Sequence, residues 1–163
     1  SSAASDVYKR QTSSFSVQVE CSDTVQSGIG DTQTAMGFQV SEGAYSAAQS
    51  LGLVNGSGGV SALVSDNYFS ADMAKGVGIT LAHSNKPGEE LIFVGQPGFS
   101  SLTPGGNNAG WYPVMQGGTQ AGSVKSGYTY YTYSLIASLK KLNGQSITPG
   151  KVYATAYVLV KMQ

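Results

Sequence analysis

The most constraining feature of this sequence is the regular alternation along its C-terminal segment. From Val152 to Met162, every second position carries an apolar side chain. Because successive side chains of an extended chain point to opposite faces, this pattern predicts a long strand with one continuous apolar face. Such a strand at the edge of a sheet needs a neighbour that covers it. The side chains predicted to face inward are those of Val152, Ala154, Ala156, Val158, Val160 and Met162.

Shorter runs elsewhere have a similar β-rich character and predict an all-β sandwich. The clearest is the segment that places Phe15, Val17, Val19 and Cys21 on one face, which makes Cys21 an inward-facing thiol. Clusters of Gly, Asn, Ser and Pro separate the runs and are typical of turns. The other predicted strands are Val60–Val64, Val77–Leu81, Leu91–Val94 and Tyr128–Leu139.

Two segments depart from the strand pattern. Glu42–Leu51 is rich in Ala and Ser and predicts a short helix, whereas the Gly- and Pro-rich stretch from Gly95 to Gly127 predicts loops or short edge strands. Within that stretch, Trp111 and Tyr112 leave two interpretations open. The Trp111 ring either covers one end of the core or, with Tyr112, forms an exposed surface that binds a ligand such as a sugar.

The composition argues against several classes of function. The 163 residues include nine basic and nine acidic ones, so a broad basic surface for nucleic acid is not expected. One histidine, His83, and one cysteine cannot supply a multi-ligand metal site. No pair of nucleophile and general base can be nominated, and no cofactor motif is complete. We therefore expect neither an enzyme nor a bound cofactor or metal.

Residues 1–11 lack the alternation of the rest of the chain. The string Ser1-Ser-Ala-Ala-Ser-Asp-Val-Tyr-Lys-Arg-Gln11 resembles translated sequencing-adapter read-through. We therefore expect a non-native tail over residues 1–11 and one β-sandwich domain over residues 12–163 that has lost part of its natural N-terminus. An ordinary flexible terminus rich in Ser and Ala is the alternative.

Several segments, taken in order, resemble the pilin subunits of bacterial chaperone–usher fimbriae. Gly150 lies 14 positions from Gln163, counting both ends, and an alternating strand connects them. The segment Gly76-Val-Gly-Ile-Thr-Leu81 is similar to a strand found in many pilin domains. The run from Phe15 to Cys21 resembles the strand that ends in the second cysteine of the pilin disulfide.

Two positions differ from the pilin pattern. Pilins usually carry Tyr next to last, where this chain has Met162. Their first cysteine lies upstream of the second, and this chain has no such residue. The resemblance therefore implies that Cys21 is a disulfide candidate whose upstream partner is missing, and a free buried thiol is the alternative.

The resemblance also implies how the fold is completed. Pilins are incomplete immunoglobulin-like β-sandwiches that lack their final strand and receive a donor strand from a partner. The implied partners are a periplasmic chaperone, an outer-membrane usher and neighbouring pilin subunits, and the carboxylate of Gln163 would meet basic residues of the chaperone. The implied location is a fimbria on the cell surface, reached by export through the periplasm. The implied partner-strand groove contains Gly150, Val152, Ala154, Ala156, Val158, Val160, Met162 and Gln163.

Two functions follow most directly from these expectations. The first is a structural subunit of a fimbria that polymerises by donor-strand exchange and contributes to cell adhesion. The second is the pilin domain of a two-domain tip adhesin that binds a host glycan through its other domain. A β-sandwich coat protein is a more distant alternative.

Overall fold

A computed structural model describes residues 12–96, 106–123 and 125–161. This part of the chain forms two antiparallel sheets and one short α-helix, which confirms the all-β prediction. The expected tail over residues 1–11, and the terminal Met162 and Gln163, lie outside the described residues. The elements, in chain order, are β1 (Thr12–Ser22), β2 (Ala35–Val40), α1 (Glu42–Ser50), β3 (Val77–His83), a 3-10 helix (Gly106–Ala109), β4 (Tyr112–Pro113), β5 (Thr119–Gly122), β6 (Tyr128–Lys141) and β7 (Ala156–Lys161).

The first sheet is built around the long strand β6. Every residue of β1 pairs with β6, from Thr12 opposite Ser138 to Ser22 opposite Tyr128. β5 and β3 pair with the other edge of β6, one after the other. The alternation of β6 buries every second side chain against the second sheet, and the most deeply buried of these are Tyr131, Tyr133 and Leu135.

The second sheet has the order β4-β2-β7. Phe38 and Val40 of β2 join the main core, whereas Ala35 belongs to a small second core with Val94 and Trp111. β2 is therefore covered on both faces, and nearly every one of its residues is buried. The sequence did not predict this strand because a strand buried on both faces lacks the alternation of polar and apolar residues.

The predicted helix is confirmed as α1. Ser41 caps it, since its hydroxyl accepts a hydrogen bond from the Ala44 N–H at 3.1 Å and donates one to Asp66 at 2.7 Å. Small side chains on one face let α1 lie close to the main core, where Ala44, Ala47 and Ala48 are buried.

Gly76 determines where β3 begins. Its φ of 76° lies in the left-handed region that favours glycine. Its N–H donates a hydrogen bond to the hydroxyl of the buried Tyr68 at 2.7 Å, and its carbonyl accepts one from Leu142 N–H at 2.8 Å. The first Gly of the Gly76–Leu81 segment is therefore required by the backbone turn that leads into the strand.

Three predicted strands are shorter than expected or irregular. Val60–Val64 and Leu91–Val94 contain isolated bridges, including reciprocal hydrogen bonds between Val60 and Phe93 at 2.8 and 2.9 Å. The predicted C-terminal strand begins only at Ala156. Upstream of it, the backbone bonds to loop residues instead of to a strand.

Candidate strand-binding groove

β7 lies at the edge of the second sheet. It pairs with β2 from Ala156 opposite Val40 to Lys161 opposite Ala35. Within residues 12–96, 106–123 and 125–161, no strand pairs with its other edge. That edge offers a row of backbone donors and acceptors to a further strand.

The hydrogen bonds of β2 show which groups of β7 point to the free edge. The Val40 N–H and the Phe38 carbonyl both bond to Val94, on the side of β2 away from β7, at 3.0 and 2.7 Å. In an antiparallel pair, the residues opposite them must also direct their N–H and C=O groups away from the shared ladder. These are Ala156 and Val158, and Val160 follows by the same alternation.

By alternation, the side chains of these residues lie on the core-facing side of β7. Ala154 and Ala156 pack against it, whereas Val158 and Val160 are still 45% and 40% exposed. On β1, Phe15 shares the core-facing side with Val17 and is 39% exposed. The sandwich is therefore incompletely covered at the edges of both sheets.

A cavity of about 240 Å³ lies beside the start of β1. Its floor is formed by Ile79 of β3 and by Ala137 and Leu139 of β6, and Val152 and the first residues of β1 form its walls. We use the name open groove for the lining of this cavity together with the half-covered apolar side chains at the free edges of β1 and β7. Its apolar side chains are Phe15, Ile79, Ala137, Leu139, Val152, Val158 and Val160.

The opposite face of β7 is only partly exposed. Tyr157 is 51% exposed, and Leu159 packs against the small second core. Lys161, two positions after Leu159 on this face, is only 7% exposed. Burial lowers the pKa of Lys161, and the nearby charge of Asp31 partly opposes this effect.

Gly150 lies where the chain approaches the groove. A β carbon at this position would lie 2.5 Å from the backbone nitrogen of Ala74, so only glycine fits without a shift. The next residue, Lys151, donates to the Asp72 carbonyl at 2.9 Å and accepts from Ala74 N–H at 2.8 Å. Tyr153 N–H then donates to the Ser65 hydroxyl at 3.0 Å. These loop contacts replace the strand pairing that the sequence predicted for this segment.

Cys21 is a free thiol in the main core and is 6% exposed. The prediction that its side chain faces inward is confirmed. Burial raises the pKa of the thiol, so it stays protonated and unreactive near neutral pH. The disulfide with an upstream cysteine stays a hypothesis.

The structure corrects the surface-binding interpretation of Trp111 and Tyr112. Trp111 is 3% exposed and packs with Ala35 and Val94 in the small second core. Tyr112 is half-buried, and its hydroxyl accepts a hydrogen bond from Ile92 N–H at 2.8 Å. Both rings thus hold the second sheet to the loops around it, and the Trp111 ring is not presented to solvent.

The described residues lack two kinds of feature. Within this part of the chain, no group of three or more His, Cys, Asp or Glu residues is arranged to hold a metal ion. No helix in it is both long enough and apolar enough to cross a membrane.

The sequence missed the floor of the open groove. The alternation of β6 and β3 predicts that Ala137, Leu139 and Ile79 face inward, but it does not show that they remain partly uncovered. That property depends on how far the second sheet extends over the first. The only feature of the sequence that indicated incomplete covering was the apolar face of the last strand, for which no neighbouring strand was predicted.

One comparison with known proteins gave a match. The chain matches the family model described as "Fimbrial protein" over residues 3–163. No curated protein and no solved structure gave a significant match. The family is one of structural, non-enzymatic subunits of a surface appendage, which assemble with one another. Because the match covers nearly the whole sequence, the chain belongs to the fimbrial protein family.

Proposed function

We propose that this chain is a fimbrial subunit that polymerises by accepting a partner strand in the open groove. The main support for the proposal is that β7 combines free backbone groups with partly exposed apolar side chains. Its outer edge presents the backbone groups of Ala156, Val158 and Val160, and the side chains of both valines are only half covered. An added strand would satisfy the backbone groups and cover the side chains at the same time.

Apolar burial supplies part of the driving force. Complete burial of a Val or Phe side chain is worth about 1.5–3 kcal/mol, and four groove side chains still expose 37–45% of their surface. Covering Phe15, Val152, Val158 and Val160 would therefore contribute about 2–5 kcal/mol, before any backbone hydrogen bond is counted. An incoming strand with alternating apolar residues matches this surface and fixes the register.

The partners follow from this mechanism. A periplasmic chaperone would occupy the groove first, an outer-membrane usher would direct the exchange, and the N-terminal extension of a neighbouring subunit would replace the chaperone. The groove residues proposed from the sequence keep this role, with Gly150 as the close-packed entry to it. Met162 and Gln163 follow β7 in the sequence, and we propose that they extend the surface that accepts the partner strand.

The test is complementation in two steps. The chain is co-expressed with its cognate periplasmic chaperone, and the purified complex is then mixed with the donor-strand peptide of a neighbouring subunit. We expect co-purification, followed by release of the chaperone and a rise in the thermal unfolding midpoint. A chain that neither retains the chaperone nor gains stability from the peptide would refute the proposal.

The alternative is that this is the pilin domain of a two-domain tip adhesin that binds carbohydrate. It rests on the sequence resemblance of the Gly76–Leu81 segment alone. The groove would have the same role in both cases. Sequencing the gene upstream of this chain separates them, because a donor extension identifies a subunit and a second β domain identifies an adhesin.

A further inference from the structure

The sequence contains two Asn-Gly pairs, Asn55-Gly56 and Asn143-Gly144. An asparagine side chain can react with the backbone nitrogen of the next residue, and glycine favours this reaction because it has no β carbon to hinder the approach. All four residues of the two pairs are exposed, so sequence and exposure alone do not distinguish the pairs. Their hydrogen bonds, however, differ.

The side chain of Asn55 is held in place by three hydrogen bonds. Its Oδ1 accepts from the Ser57 N–H at 2.9 Å and from the Gly59 N–H at 3.0 Å. Its Nδ2 donates to the Asn108 carbonyl at 2.8 Å. The Asn55 side chain can therefore rotate towards the Gly56 nitrogen only after these bonds are broken.

Asn143 and Gly144 lie at the tip of a β-turn. The turn is closed by a hydrogen bond of 3.2 Å from the Gln145 N–H to the Leu142 carbonyl, and Gly144 has the φ of 74° for which such a turn requires glycine. The Asn143 side chain and the Gly144 N–H make no hydrogen bond with the part of the chain that the structure describes. A β carbon placed on Gly144 would meet nothing within 4 Å. The Asn143 side chain is therefore free to rotate, and the Gly144 nitrogen is accessible to it.

We propose that Asn143 is a site of spontaneous deamidation in the folded protein and that Asn55 is protected from the same reaction. The Gly144 nitrogen gives its proton to solvent base and forms a bond to Cγ of Asn143, and Nδ2 takes a proton from solvent and leaves as ammonia. Water then opens the cyclic succinimide. Opening at the Asn143 backbone carbonyl carbon leaves the chain linked through Cγ as an isoaspartyl residue, whereas opening at Cγ gives aspartate. Either product carries a new carboxylate.

The fold can accommodate this change because the turn lies between two fixed points. On one side, Leu142 is buried and its N–H donates to the Gly76 carbonyl at 2.8 Å. On the other side, Thr148 and Lys75 exchange two backbone hydrogen bonds of 3.1 Å. An extra backbone carbon at Asn143 should therefore leave the sandwich intact. The formally neutral chain becomes one charge more acidic, so the reaction changes the surface charge without unfolding the domain.

The experiment compares the two pairs in the folded chain and in the chain unfolded by urea, each in neutral and in more alkaline buffer. Peptide mapping by mass spectrometry follows deamidation at each pair, and an isoaspartate methyltransferase labels the isoaspartyl product. In the folded chain, we expect Asn143 to react at least about tenfold faster than Asn55, because three hydrogen bonds hold the Asn55 side chain. In urea, the two rates should agree within about threefold, because these hydrogen bonds are lost. The rate at Asn143 should rise with pH, because the attacking nitrogen must lose its proton.

Asn143→Ser is the test variant, and Asn55→Ser is its matched control. The first should lose the isoaspartyl label of the folded protein, and the second should retain it. Equal rates at the two pairs in the folded chain would overturn the proposal. A faster reaction at Asn55 would also overturn it, because the N–H groups of Ser57 and Gly59 would then activate the Asn55 side-chain carbonyl, as donors to a developing oxyanion do. Reaction at Asn143 in urea but not in the folded chain would show that the turn prevents the attack, which contradicts the proposal.

Discussion

Val158→Asp separates folding of the chain from binding of a partner strand. In the structure described here, the Val158 side chain is 45% exposed at the free edge of β7, so a carboxylate placed there still reaches water. We expect the substitution to lower the free energy of unfolding of the uncomplemented chain by only about 1–2 kcal/mol, because about half of a Val burial is lost and Asp is a poor strand residue.

The effect on strand binding should be much larger. An incoming strand would bury the remaining 45% of Val158, a gain of about 0.7–1.4 kcal/mol that the substitution removes. The carboxylate would also lose its hydration, at a cost of several kcal/mol unless it becomes protonated. A total of about 4 kcal/mol corresponds to nearly three orders of magnitude in Kd.

The assay is the Kd of the donor-strand peptide, measured by calorimetry for the parent chain and two variants. Tyr157→Asp is the control, because it introduces the same charge one residue away on the opposite face. We expect its Kd to stay within about threefold of the parent value. Equal Kd values for the parent and Val158→Asp, or equal losses in both variants, would refute the assignment of the groove.

Three further predictions concern single residues of the domain. Cys21, the only cysteine, should react slowly with a bulky thiol reagent in the native protein and rapidly in urea, and fast native labelling would contradict its burial. Burial first, and the charge of Lys86 second, lower the pKa of His83 below 6.5, so the unfolded chain takes up a proton at higher pH than the folded chain does. The thermal unfolding midpoint should therefore fall as the pH drops below 6.5, and His83→Gln should make the midpoint depend less on pH. If the pH dependence is the same in His83→Gln and in the parent, the assignment of this effect to His83 is wrong. Gly150→Ala should lower the free energy of unfolding in urea by about 1–3 kcal/mol, because the new β carbon would meet the Ala74 backbone. Gly88→Ala is the control, since a β carbon there meets open space, and it should leave the free energy of unfolding unchanged. Equal effects of the two substitutions would show that the close fit at Gly150 does not matter for stability.

Alternation in the sequence was sufficient to locate the strands that have one covered face. The predicted segments starting at Phe15, Val77 and Tyr128 lie within β1, β3 and β6. β2 was missed because Ala35–Val40 is covered on both sides, by the main core and by the small core around Trp111. The identity of the residues that pack behind a strand depends on distant loops, and alternation carries no information about them.

The candidate site was predictable in outline only. The sequence placed Val158 and Val160 on the core-facing side, but their partial exposure depends on the free edge of β7. It also predicted a strand over Val152–Thr155, where the structure has loop contacts with Ser65 and Asp66. The alternation also does not show that Lys161, on the face opposite Val158 and Val160, is buried. Such contacts between remote segments cannot be obtained from a local pattern.

The most direct test of strand addition is residue-resolved hydrogen exchange along β7, with and without the donor-strand peptide. Without the peptide, the amides of Tyr157 and Leu159 should already be protected by β2, whereas those of Val158 and Val160 should exchange rapidly. The account predicts that adding the peptide slows the exchange of Val158 and Val160 by orders of magnitude and changes that of Tyr157 and Leu159 much less. Rapid exchange at Val158 and Val160 in the presence of saturating peptide would contradict it.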